Sequence, residues 1–165
     1  MIDKTKIEET IDRIKEHYDN APTEMSIFYS KLVLLELCGW IEESMDDIAR
    51  RYATRKIGEP IFINMHSGIV SRTHGFLWKR HFRPMLCSTV GIYHLEKIHE
   101  CLQHNQLSID RLRNELHKLW KLRGQAAHTH TIDMTPKYPT PDYCKSSLKM
   151  IYDILLQIDI AVSQL

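Results

Sequence analysis

The stretch MSIFYSKLVLLELCGWIEESMDDIARRYA, from Met25 to Ala53, constrains the fold more than any other part of this chain. It reads as one long helix. Its first half, to Ile41, is apolar nearly all round, the pattern of a helix buried centrally or at a subunit interface. Its second half, Glu42 to Arg51, is charged and is expected to emerge into solvent. Gly39 within the apolar half costs about 1 kcal/mol relative to Ala, which leads us to expect a close helix crossing at that point.

The same period recurs on both sides. Ile7, Ile11, Ile14 and Tyr18 are spaced by four, three and four, so a first helix is predicted over residues 4 to 18. Asn20-Ala-Pro-Thr-Glu24 breaks it, with Thr23 placed to cap the long helix. Residues 54 to 70 lose the helical period and contain Gly58, Pro60 and Gly68, which predicts a loop holding at most one short extended piece. Weaker helical patterns cover 71 to 88 and 91 to 104. Ser108 is a capping residue for a helix whose Leu112, Leu116, Leu119 and Trp120 fall on one face. After a proline-containing connector, residues 129 to 141, comes a final helix: Thr140 as cap, Pro141 at the first position, Asp142 in the first turn, and a core stripe of Leu148, Ile151, Ile154, Leu155 and Ile158.

The expected architecture is therefore all-α: one domain over residues 1 to 165, a helical bundle built around two long antiparallel helices with a loop-rich insertion after the long second helix. A length of 165 residues buries about 70% of the unfolded surface and needs no staple. Apolar residues are 43% and charged residues 26% of the chain, ordinary globular values that argue against extended disorder. No apolar run reaches the length of a membrane span, and MIDKTKIEETIDRIKE is charged from its third residue, so a soluble, cytoplasmic protein is expected. Cys38, Cys87, Cys101 and Cys144 form no C-x-x-C pair and are expected to be reduced thiols, mostly buried.

The net charge of +1 conceals a segregation. Between Arg72 and Arg123 there are ten Lys/Arg against four Asp/Glu, a local net charge of +6, together with six histidines. That basic third is an expected anion-binding face. Within it RTHGFLWKRHFR interleaves Arg72, Lys79, Arg80 and Arg83 with Phe76, Trp78 and Phe82. Cations neutralise phosphates and aromatic faces stack bases, so this composition suits single-stranded nucleic acid, as it equally suits a helix whose aromatics enter the core. Ten histidines raise the question of metal, but His94, His99 and His104 are five apart and diverge by about 140° on a helix. His66, His74 and His81 have no partner ligand at metal spacing, and His128-Thr-His130 is a short signal alone. No metal site and no cofactor is expected. Neither a G-x-S-x-G elbow nor a phosphate-cradling glycine loop is present.

The segment RLRNELHKLWKLRGQAAHTHT, residues 111 to 131, is a basic amphipathic helix ending in Arg123-Gly-Gln-Ala-Ala-His128. Arg, a short spacer and His near the end of a helix in an all-α chain of this size resemble the signature of the HEPN-domain family. The apolar-then-acidic helix KLVLLELCGWIEESMDDIARRYA is similar to the one that packs beside the motif helix there. The resemblance spans most of the chain in architecture, while its specific content is six residues. It departs at position 124, where Gly stands in place of the Asn, Asp or His of many active members.

The resemblance implies a helical bundle that pairs as a two-fold homodimer, with both Arg/His motifs in one interfacial cleft. It implies a metal-independent endoribonuclease, of the kind found among toxins and antiviral effectors. Arg123 would bind the scissile phosphate and His128 would act as general base or acid. Gln125, Glu43 and His130 are possible supporting groups, with Glu36 and Asp47 as further acidic neighbours. Arg72, Trp78, Lys79, Arg80, Arg83 and Lys121 would hold RNA, Trp78 or Phe82 stacking a base. Independent chemistry agrees: RNA carries its own nucleophile, the 2′-hydroxyl, so cleavage needs a proton acceptor and donor near neutral pH and a fixed cation. Histidine titrates near neutrality and arginine offers a planar fork for phosphate oxygens. Two other classes are carried alongside: a non-catalytic HEPN-like module binding RNA, nucleotide or a protein, favoured by Gly124, and the antitoxin or regulatory subunit of a two-gene system.

Overall fold

A computed structural model describes residues 1–104, 108–128 and 138–165. Among them are seven α-helices and one π-helical turn, and no strand. They are α1 (Thr5–Asn20), α2 (Thr23–Lys56), α3 (Pro60–Ser71), the π-turn (Trp78–Phe82), α4 (Arg83–Val90), α5 (Ile92–His104), α6 (Ile109–His128) and α7 (Pro141–Ser163). None of these helices is long and apolar enough to cross a membrane.

Helix α2 is the axis. Val33, Leu34, Leu37, Cys38, Ile41, Met45 and Ile48 are buried along it at steps of three and four, each large side chain contributing about 1.5–3 kcal/mol by leaving water. Helix α1 lies antiparallel beside it: the Trp40 indole N–H donates to the Asp3 carbonyl at 2.9 Å, and His17 stacks on Tyr29 at the other end. Helix α7 covers a second side. Its cap forms as expected, Thr140 Oγ1 accepting from the Tyr143 N–H at 3.3 Å, and its five-residue core stripe is buried throughout.

The directions of the long helices differ from the expected antiparallel pair. Trp40 meets Tyr152, Arg51 meets Asp159 and Arg55 reaches the Val162 and Ser163 carbonyls, so α2 and α7, the two longest, run parallel. Helix α6 is antiparallel to α7, since Glu115 meets Ser147 while Lys118, a turn later, covers Tyr143. The reason is the excursion of α3 to α5, which carries the chain back before α6 begins. At the far end Asp159, only 4% exposed, accepts the Ile2 N–H at 2.8 Å and an Arg51 N–H at 3.0 Å, so a buried carboxylate fastens α2, α7 and the segment leading into α1.

Four further expectations are corrected. Residues 54 to 70 are not a loop: α2 continues to Lys56, and Pro60 opens α3, a position where its missing N–H costs nothing. The 71 to 88 pattern splits into a non-helical stretch, the π-turn and α4. Thr23 is the first residue of α2 rather than its side-chain cap. Gly39 faces solvent, and a Cβ there would meet nothing within 4 Å, so no helix crosses at that point. The charged half of α2 does reach solvent, yet Ser44, Met45, Ile48, Ala49 and Ala53 keep one face of it buried. Of the cysteines, Cys38 and Cys144 are buried, Cys87 half-buried and Cys101 exposed, all free thiols.

Candidate functional site

Helix α6 carries the Arg/His motif. Ser108 Oγ accepts the Arg111 N–H at 3.0 Å and satisfies one of the first turn's unpaired donors. Leu112, Leu116, Leu119 and Ala126 then fix the helix to the core. That leaves Arg123 at the margin of the buried face. Its guanidinium is ion-paired to Glu42 of α2, Nη1 to Oε2 at 3.1 Å, and lies 5.8 Å from the ring centre of Phe76 and 5.6 Å from that of Trp120. One carboxylate and two aromatic faces therefore hold it, while its side chain keeps 34% of its exposure.

Glu42 has a second role. Its other oxygen, Oε1, accepts the buried Gly75 N–H at 2.5 Å. Gly75 has φ +116°, and a Cβ there would sit 2.6 Å from Trp120 Cζ3 and 2.8 Å from His81 Cε1, so only glycine lets the 72–77 backbone press onto Trp120. His81 completes the shelf: its Nδ1 accepts the Leu77 N–H at 3.1 Å and its ring lies 5.2 Å from Trp120. Burial lowers its pKa, the neighbouring Arg80 adding to the effect and Glu42 opposing it. An acceptor Nδ1 leaves the neutral ring's proton on Nε2.

Glu42 and His81 did not figure among the supporting residues expected from the sequence. Glu42 follows Cys38 by four and precedes Met45 by three, at the edge of the buried stripe, and that register is the signal that singles it out. Glu43, one residue on, turns to the α1 side, where it and Glu36 border a shallow groove with Lys6, Thr10 and Trp40. Asp47 pairs with Arg50 at 3.5 Å and Arg51 at 3.8 Å. None of the three approaches Arg123.

The rest of the motif lies apart. Helix α6 is unbroken through His128, its last residue, so the side chains of Arg123 and His128 point about 140° apart within one copy. Gly124 and Gln125 are exposed, and Gly124 does not interrupt the helix. His128 is exposed too. His130 and most of the 129 to 141 connector lie outside the described residues.

Among the expected RNA contacts, Lys79, Arg80, Arg83 and Lys121 are exposed. Arg72 folds back on α3, its Nε donating to the Gly68 carbonyl at 2.9 Å. The aromatics are the correction: Phe76 and Phe82 are fully buried, Trp78 is 5% exposed and packed edge-on against Phe82, so none offers a free face to a base. Their spacing serves the core, because the π-turn widens the helix there and turns Trp78 and Phe82 inward together. Among the described residues, no three His, Cys, Asp or Glu side chains are grouped to hold a metal ion. Compared with models of protein families, with curated proteins and with solved structures, the chain matches none.

Proposed function

We propose that this protein is a HEPN-like endoribonuclease of the cytoplasm that cuts RNA by attack of the 2′-hydroxyl, each cleavage site being completed by a second copy of the chain. The observation that carries this reading is the Arg123 guanidinium, held in place by Glu42, Phe76 and Trp120 yet open to solvent, on the same helix end as an exposed His128. A fixed guanidinium binds phosphate oxygens and stabilises the charge that builds on them. An imidazole takes the 2′-hydroxyl proton as that oxygen attacks phosphorus; a second imidazole, or the same one after relay, protonates the departing 5′-oxygen, leaving a 2′,3′-cyclic phosphate. The chemistry needs no metal. Because one helix turns Arg123 and His128 away from each other, two chains must share the cleft. Such an activity fits a toxin or antiviral effector restrained by a cognate antitoxin or regulatory partner.

The test is His128→Ala assayed on single-stranded RNA in buffer containing a metal chelator. Cleavage is expected to vanish while the helical circular dichroism and the solution mass stay unchanged; undiminished cleavage overturns the proposal. A second reading, a non-catalytic module that binds RNA, nucleotide or protein, is favoured by the Arg123–Glu42 ion pair, which already occupies part of the guanidinium fork. Expression in a host separates them, since an active nuclease slows growth and a binding module does not.

A further inference from the structure

Several cations of this protein are answered by carboxylates: Lys4 by Glu8, Lys15 by Asp19 and Asp142, Lys97 by Glu100, Lys145 by Asp12, Arg50 by Asp46. Around the π-turn the pattern breaks. A cleft of about 350 Å³ opens between the π-turn and the first half of α6. Lys79, Arg80, Arg113, Asn114 and His117 line it together with the apolar Leu77 and Trp78, and no described lining residue is acidic. An adjoining cavity of about 440 Å³ shares Lys79 and Arg113 and extends to Arg83 and His99. Of these cations only Arg113 has an acidic partner among the described residues, Asp110 at 3.0 Å. Three positive charges gathered in a concave site of this size, with Asp110 beside Arg113 as their one acidic partner among the described residues, favour an anion with an apolar part.

Helix geometry ties the cleft to the motif. At 100° per residue Arg113, His117, Lys121, Gly124 and His128 fall within an arc of about 80° on α6, one continuous face. From Lys121 to His128 that face is exposed, and Gly124 leaves a gap in its ridge. His117 and His128 are separated by about 16 Å along the axis. That is a span of no more than about five nucleotides at a stacked spacing of about 3.4 Å each.

We propose that the cleft between the π-turn and α6 is a second RNA subsite, which takes a phosphate and its nucleoside a few nucleotides away from the bond cut at His128, so that the substrate is a single strand laid along this face of α6. This deepens the ribonuclease reading and rests on it for the position of the cut, but its binding chemistry is separate. Lys79, Arg80 and Arg113 would neutralise phosphates, and the apolar lining at Leu77 would take the apolar side of a base.

The experiment uses the full chain and a triple variant, Lys79→Ser, Arg80→Ser and Arg113→Gln, all on the surface, with fluorescence anisotropy of a 2′-O-methyl octanucleotide that cannot be cut. The variant is expected to bind at least tenfold more weakly, and its slope of log affinity against log salt to be shallower by about 2, three lost phosphate contacts at about 0.7 each. Equal octanucleotide affinity and salt slope in the two proteins overturn the subsite. So does adenosine 5′-monophosphate competing as strongly as the octanucleotide, which would make the cleft a mononucleotide site. If the natural sequence cuts no RNA but the affinity and salt effects appear as stated, the subsite stands and the catalytic reading falls.

Discussion

Replacing Glu42 by alanine removes an acceptor that serves two elements at once. The buried Gly75 N–H loses its carboxylate, a loss of about 1–3 kcal/mol when a buried donor is left unpaired. The part-exposed ion pair to Arg123 contributes up to about 1 kcal/mol more. Together the two span about 1–4 kcal/mol, and about 2–3 kcal/mol at the middle of that range. For a chain of this size that lowers Tm by roughly 5–10 °C. Glu42→Gln keeps an oxygen facing Gly75 and forfeits the charge, so a loss of about 1 kcal/mol is expected. Glu43→Ala is the internal control: the side chain is exposed and turned to the α1 side, and the change should stay within about 0.5 kcal/mol. Thermal unfolding followed by circular dichroism orders the three. If Glu42→Ala and Glu43→Ala melt together, Glu42 does not join α2 to the 72–77 segment and the reasoning fails.

Three other changes have definite signs. Gly39→Ala, at an exposed helical site with open space, is expected to stabilise the protein by about 1 kcal/mol in denaturant titration; a loss would mean something packs on that face. Gly75→Ala forces a Cβ into Trp120 at a positive φ and is expected to cost at least about 2 kcal/mol and to alter tryptophan fluorescence, and a neutral result would refute the close packing of that backbone on Trp120. Burial, with Glu42, Asp47 and Glu43 adding and Arg50 opposing, raises the Asp46 carboxyl from 3.8 to about 6. The folded state thus holds this proton more tightly than the unfolded state does, so the ionised carboxylate destabilises the fold above about pH 6 and the penalty fades as pH falls towards about 4. Asp46→Asn should raise Tm at about pH 8 and lose that advantage by about pH 4; a difference constant with pH would contradict it.

The elements legible in the sequence are those whose local chemistry and tertiary packing agree. Helix α7 has its cap, its leading proline and its stripe in one register, α6 has its Ser108 cap and its stripe, and α1 is marked by its stripe. Residues 54 to 70 misled because Pro60 and Gly68 read as breakers. Pro60 opens α3 instead, and Arg72, folding back to the Gly68 carbonyl, covers the glycine in its last turn. Trp78 and Phe82 read as stacking platforms because composition records residue type and not direction; the π-turn that points both inward has no simple periodic signature. At the site it is the resemblance of Arg123-Gly-Gln-Ala-Ala-His128 to the HEPN signature that points to Arg123 and His128, whereas Glu42 is marked only by its register at the edge of the buried stripe, and the contact of Gly75 with Trp120 across the fold leaves no mark in a linear pattern.

The central claim is that Arg123 of one copy and His128 of another act on the same phosphate. Co-expressing Arg123→Ala and His128→Ala chains with different affinity tags, and purifying the mixed dimer, tests it directly. Each variant alone should be inactive, and the mixed dimer, keeping one intact pair of its two, should recover about half of the natural activity. A mixed dimer as inactive as its parents would contradict a cleft shared between subunits.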